Sequence, residues 1–140
     1  MASYSFIYSS VLESEEKMLS DLATLLNDNN ILNPERYGFM LVVSEAFTNA
    51  LLHGNQLIPS KNIYLHVDIK KNELSADIID EGEQGLNQIE TKKPSVLNEP
   101  NGRGVDLIRH YATEATFSEA ENGGTKVSVL IRRKLEKITY

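Results

Sequence analysis

The chain has 140 residues, 41% of them hydrophobic and 24% charged, which is the length and balance of a single globular domain. Its 14 basic and 20 acidic residues give a net charge of −6, which argues against general nucleic-acid binding and against a polybasic membrane anchor. The chain has no cysteine, so disulfides, thiol catalysis and thiolate metal sites are excluded. Residues 1–10 lack a basic region followed by an apolar run, and no apolar stretch approaches the ~18 residues of a membrane span, so neither a signal peptide nor a membrane span is expected. These features favour a cytoplasmic protein.

The first part of the chain predicts one strand and two helices. Residues 4–8 alternate apolar or aromatic side chains with serine, as a strand does. Residues 13–30 place leucines at helical spacing, begin with acidic residues and end in a run of Asn and Asp. Asn33 and Pro34 predict the N-cap and first residue of a second, largely buried helix that ends near Leu52. Gly54 is suited to a left-handed cap after it.

The second part of the chain is dominated by alternating segments. Strands are predicted over residues 61–70, 73–80, 113–119 and 125–132, and a short helix is predicted from residue 103 or 104 to residue 112. A long loop, residues 81–101, separates the two strand pairs, and such loops are usually functional or mobile. The expected fold class is α+β, a two-layer sandwich with helices on one face of a mixed, mostly antiparallel sheet. We expect one domain over residues 1–140, with its core between about residues 4 and 132.

The second helix carries polar side chains that its apolar character does not explain. Glu45, Asn49 and His53 follow each other at intervals of four residues and so share one side of the helix. An amide oxygen is a suitable ligand for Mg²⁺, and a carboxylate one turn away can deprotonate a hydroxyl or a water. The alternative is a solvent-facing stripe on an amphipathic helix. His53 is better explained as a structural residue at the helix end, and the scattered histidines predict no structural zinc.

Three glycine-containing segments are compatible with nucleotide binding, although each has a simpler explanation. Asp80 ends a strand and Gly82 follows, an arrangement that can receive an exocyclic amine but is also common in turns. Gly102 and Gly104 bracket the start of a helix, where backbone N–H groups can approach a phosphate, or where they form an ordinary hinge. Gly124 and Thr125 lead into the last strand, as the end of a hairpin turn also would.

The order of these four segments resembles the N box and the three glycine boxes of the GHKL ATPases, the superfamily of gyrase and the histidine kinases. Within it, residues 43–54 and 102–108 are similar to the anti-sigma-factor serine kinases of bacterial partner-switching systems. The resemblance extends from about residue 4 to residue 132. It implies a Bergerat fold that holds ATP between the helices and the loop before the third helix.

The resemblance also implies roles for individual residues. Asp80 would bind the adenine amino group, Gly82 would allow close approach to the base, and Thr125 would support the adenine end of the pocket. Asn49 would ligate the Mg²⁺ that bridges the phosphates. Glu45 would be the general base that deprotonates an incoming serine hydroxyl. The residues that would wrap the phosphate tail are Gly102, Arg103 and Gly104.

The implied function is that of an anti-sigma factor and protein-serine kinase. Its partners would be a sigma factor and an antagonist of the sulfate-transporter-and-anti-sigma-antagonist (STAS) type, and the kinase would be a homodimer that binds neither nucleic acid nor membrane. The first glycine box departs from the family pattern, because Gln84 stands where a second glycine is usual and Gly85 follows it. The alternative is therefore a nucleotide-responsive binding module with little or no kinase activity.

Overall fold

A computed structural model of the chain describes residues 1–83 and 107–134. The described strands form one five-stranded sheet in the order β1-β2-β3-β5-β4, and each neighbouring pair is antiparallel. Their bounds are β1 Ala2–Ser9, β2 Asn62–Ile69, β3 Glu73–Ile79, β4 Glu114–Glu119 and β5 Thr125–Arg132. The four strand segments predicted in the second part of the chain are confirmed, each to within one residue.

Two helices cover one face of this sheet. Helix α1 spans Glu13–Asp28, and α2 spans Glu35–Asn49 and continues as a π-helical turn, Ala50–Gly54. Helix α2 packs on β3 and β5 at the centre of the sheet, and α1 packs beside it against β1. Residues 107–111 form a further helical segment. The architecture is therefore the expected α+β sandwich.

The core lies between the helices and the sheet, and every second residue of the central strands contributes its side chain to it. Every second residue of β2 is buried, and the residues between them are only partly buried on the opposite face. A buried aliphatic side chain contributes about 1.5–3 kcal/mol to stability, so a register slip of one residue would be strongly unfavourable. The buried aliphatic residues of the three central strands are Ile63, Leu65, Val67, Ile69, Leu74, Ala76, Ile78, Val127, Val129 and Ile131.

Both predicted ends of α2 are wrong in detail. The helix begins at Glu35 with Pro34 at its N-cap, so the predicted cap, Asn33, lies one residue before the observed one. Its side-chain oxygen still accepts a hydrogen bond from the Tyr37 N–H at 3.2 Å. Gly54 is not a left-handed cap either, because Gly123 is the one glycine in the described part of the chain with a positive φ. The helical path reaches Gly54 through the π-helical turn, which ends against Asp80.

Strand β1 is an edge strand, but its tyrosines are not free for an interface. Tyr8 is 3% exposed, and its hydroxyl donates to Asp21 at 2.7 Å. Tyr4 is partly buried, and its hydroxyl oxygen accepts a hydrogen bond from Asn29 at 2.8 Å. The alternation of residues 4–8 therefore reflects packing within the monomer, and a homodimer would have to use other side chains. No helix in the described ranges is long and apolar enough to cross a membrane.

Candidate nucleotide-binding site

Asp80 is a buried carboxylate with one oxygen committed to the backbone. The residue follows β3 and is 4% exposed. Its Oδ1 atom accepts hydrogen bonds from the N–H groups of Gly82 and Thr125, both at 2.9 Å. Both of these N–H groups bind Oδ1, and neither binds Oδ2. The carboxylate is therefore held in one orientation, with Oδ2 left to accept a hydrogen bond from a ligand.

Three glycines make room for this carboxylate. A Cβ atom at Gly54 would lie 2.1 Å from Asp80 Oδ2, and one at Gly124 would lie 2.0 Å from the Asp80 carbonyl oxygen. A Cβ atom at Gly82 would lie 2.0 Å from the carbonyl oxygen of Gly54. None of these three glycines has a positive φ, so the requirement is for space and not for an unusual backbone conformation. Their chain segments meet only because no side chain separates them.

The hairpin between β4 and β5 is also tied to Asp80. Asn122 donates a side-chain hydrogen bond to the Asp80 carbonyl oxygen at 3.2 Å, and its own side-chain oxygen accepts from the Gly124 N–H at 2.8 Å. The Asp80 N–H donates to the Thr125 carbonyl oxygen at 3.0 Å. Thr125 is 3% exposed and contacts Asp80 through its backbone. The hairpin turn therefore holds Asp80 in place through hydrogen bonds to its backbone and its carboxylate.

Burial of Asp80 has an electrostatic consequence. Burial raises the pKa of its carboxyl group, while the N–H donors of Thr125 and Gly82 and the positive charge of Lys61 act in the opposite direction. A buried carboxylate of this kind is costly without a partner, which makes a hydrogen-bond donor from a ligand favourable.

Glu45 and Asn49 lie on α2, both partly buried, one helical turn apart. Burial raises the pKa of the Glu45 carboxyl group, and the negative charge of Glu15 on α1 adds to this effect. Thr48 on the same turn of α2 donates to Glu15 Oε1 at 2.8 Å, which places the Glu15 carboxylate beside this face. A carboxyl group with a raised pKa is a better proton acceptor than an ordinary glutamate.

The structure thus brings Asp80, Gly82 and Thr125 into one site at the end of β3, with α2 and its π-helical turn alongside. The predicted phosphate-binding residues Gly102, Arg103 and Gly104, and the loop around Gln84, lie outside the described residues. The predicted site did not include Gly54, Asn55 or Asn122, and it used Gly124 only as part of the box that contains Thr125. An Asn-Gly-Gly run predicts a turn, and nothing local indicates that this turn touches Asp80.

The family model for the histidine kinase-like ATPase domain matches residues 8–131. The chain belongs to this family. The match runs from the end of β1 into β5 and includes Asp80, Glu45 and Asn49, so these residues lie within a histidine kinase-like ATPase domain.

Individual relatives agree with this membership, and one solved structure has a similar fold. The chain is 26% identical to an anti-sigma F factor of Oceanobacillus iheyensis over 141 residues, covering 97% of the chain and 96% of that relative. It is 32% identical to an anti-sigma F factor of Halalkalibacterium halodurans over 103 residues, 69% of the chain and 67% of that relative. A crystal structure of the RsbU and RsbW domains of a Mycobacterium tuberculosis protein shares the fold, with a TM-score of 0.69 at 15% identity. That match covers 99% of the chain, which spans 35% of the crystallised protein.

Proposed function

We propose that the chain is an ATP-binding anti-sigma factor and a protein-serine kinase that phosphorylates a STAS-type antagonist. The observation that carries the proposal is the Asp80 carboxylate, with Oδ1 satisfied by two N–H groups and Oδ2 left for an exocyclic amine. The anti-sigma F factors to which the chain is similar support the regulatory part of the proposal. A sigma factor and the antagonist would be its alternative partners.

The proposal assigns base recognition to the residues around Asp80 and phosphate chemistry to two residues on α2. Asp80 accepts the adenine amino group through Oδ2, while Gly54, Gly82 and Gly124 keep side chains out of that contact. Asn49 would offer its amide oxygen as a ligand to Mg²⁺, a cation that prefers oxygen ligands. Bound Mg²⁺ would neutralise phosphate charge. Glu45 accepts the proton of the attacking serine hydroxyl, and the high proton affinity that its burial confers suits this step.

Thermal unfolding with and without nucleotide tests ATP binding directly. ATP with Mg²⁺ at about 100 times its dissociation constant should stabilise the wild type by roughly 2.7 kcal/mol, a shift of a few degrees. Asn49→Ala should retain a shift with ATP alone and lose the additional shift that Mg²⁺ gives. Asn72→Ala, in the exposed turn between β2 and β3, is the matched control and should behave as the wild type. No shift of the wild type with millimolar ATP or ADP would overturn the proposal.

Asp80→Asn should separate folding from binding. The raised pKa means that the folded protein holds the Asp80 proton more tightly than the unfolded chain, so the Asp80 contribution to stability falls as pH rises through that pKa. Asparagine keeps an oxygen for the two N–H donors and removes the charge. The apo variant should therefore be at least as stable as the wild type at pH 7, while its unfolding midpoint no longer responds to ATP.

Denaturant unfolding at several values between about pH 4 and 8 gives the stability comparison. Asp77→Asn is a suitable control, because Asp77 lies on β3 shortly before Asp80, is partly exposed and faces Lys126 at 3.7 Å. Retention of the full ATP response in Asp80→Asn would show that this carboxylate does not bind the base.

A further inference from the structure

Asn55 is a fully buried polar residue to which the proposed function gives no role. It follows the π-helical turn directly and is 0% exposed. Its N–H donates to the Ala50 carbonyl oxygen at 2.8 Å, closing that turn. Burying an amide without partners would cost about 1–3 kcal/mol, so its hydrogen bonds determine what the residue does.

The Asn55 side chain has a donor end and an acceptor end that serve different parts of the molecule. Nδ2 donates to Ser10 Oγ at 2.7 Å and to the Asn62 carbonyl oxygen at 2.9 Å, which anchors it to the end of β1 and the start of β2. Oδ1 accepts from the Glu81 N–H at 2.7 Å. The orientation of the amide is unambiguous, because a carbonyl oxygen needs the NH₂ group and a backbone N–H needs the oxygen.

The acceptor end acts at the peptide that follows the base-recognising carboxylate. The sheet partner of Asp80 is Thr125, and beyond this residue the chain leaves the sheet. The Glu81 N–H is therefore outside the ladder, and Asn55 Oδ1 is the group that satisfies it. Gly82, the next residue, lies directly against the Gly54 backbone. One side chain thus links the end of the π-helical turn to the segment that carries Asp80.

We propose that Asn55 is a positioning residue for purine selectivity, in which its Oδ1 atom fixes the peptide after Asp80 so that Oδ2 meets a 6-amino group and rejects a 6-oxo group. This inference rests on the proposed ATP binding and deepens it. A carboxylate oxygen can only accept from an amine, whereas it repels the carbonyl oxygen of a 6-oxopurine, so selectivity depends on how firmly the carboxylate is held. The donor end serves the stability of the sheet edge.

The test compares dissociation constants of ATP and ITP, which differ at the 6-position, for three proteins. The wild type should prefer ATP. Asn55→Ala removes both ends of the amide, and its ATP-to-ITP preference should fall by about tenfold or more. Ser10→Ala removes one partner of the donor end and leaves the Glu81 contact in place, so it should lower the unfolding midpoint and keep the preference. The ratio is informative because general destabilisation weakens both nucleotides alike.

If Asn55→Ala fails to fold, Asn55→Ser provides a second variant. The serine side chain is too short for its hydroxyl to reach the Glu81 N–H. An unchanged preference in a folded Asn55 variant would overturn the inference and leave ATP binding intact. A wild type that binds neither nucleotide would overturn the proposed function together with the inference, whereas a wild type that binds both equally would overturn the inference alone. A loss of preference in Ser10→Ala equal to that in Asn55→Ala would reduce Asn55 to a purely structural role.

Discussion

Glu45→Gln should lower the rate of phosphoryl transfer to a STAS-domain antagonist by about 10²–10⁴-fold, the usual contribution of a general base. Glutamine is nearly isosteric with glutamate and can still donate or accept hydrogen bonds, so ATP affinity should change little. The wild-type rate should also fall as pH drops through the raised pKa of Glu45, because the protonated carboxyl cannot accept the serine proton. The rate of the Glu45→Gln variant should not show this fall at low pH.

Mass spectrometry measures the rate at which phosphoserine forms on the antagonist across a pH series. ATP affinity is determined separately. Glu16→Gln is the matched control, because it removes the same charge from an exposed position on α1. A variant that binds ATP and still phosphorylates at the wild-type rate would show that Glu45 is not the base. A wild type that binds ATP without phosphorylating any antagonist would instead support the nucleotide-responsive binding module.

Gly82→Ala should be strongly destabilising, although it adds a single methyl group. Its new Cβ would lie 2.0 Å from the carbonyl oxygen and 2.5 Å from the carbonyl carbon of Gly54. Both neighbours are backbone atoms, so either the Asp80 segment or the π-helical turn has to move. Overpacking of this kind destabilises by about 1–3 kcal/mol. ATP binding should weaken by about tenfold or more, since the displaced Asp80 loses its alignment with the adenine amine.

Gly38→Ala offers a direct comparison for this substitution. A Cβ at Gly38, inside α2, would meet Ile131 Cδ1 at an ordinary 3.6 Å. Alanine is the better helix former, so this variant should gain about 0.5–1 kcal/mol of stability and bind ATP normally. Denaturant unfolding and nucleotide titration of both variants provide the comparison. A Gly82→Ala protein with wild-type stability and affinity would contradict the close packing described for Gly54 and Gly82.

Most of the secondary structure could be predicted from local pattern. The hairpins of β2 with β3 and of β4 with β5 were predicted to within a residue, because alternation specifies both the strand and its buried face. The ends of α2 were less accurate. A π-helical turn extends the helix to Gly54, and the wider turn has no signature in the sequence that distinguishes it from ordinary helix termination.

The candidate site, like the secondary structure, was predicted only in part. Glu45, Asn49, Asp80, Gly82 and Thr125 were identified because their order along the chain resembles a known family. Their predicted roles remain proposals. The bracing of the site was not predictable, since Asn55 reaches Ser10 and Glu81 across 45 and 26 residues of chain. The Glu15 carboxylate beside Glu45 belongs to another helix and is brought there by α1–α2 packing.

The sequence by itself determined the fold class, the buried face of each strand and the family, because these depend on periodicity and on the order of short motifs. Only the tertiary structure shows why three glycines are needed around Asp80 and which of the two oxygens of its carboxylate is available to a ligand. The same glycine can cap a helix, form a turn or admit a neighbouring backbone. Which of these applies depends on what a Cβ atom at that position would meet, and for Gly54 that neighbour is a carboxylate 26 residues further along the chain.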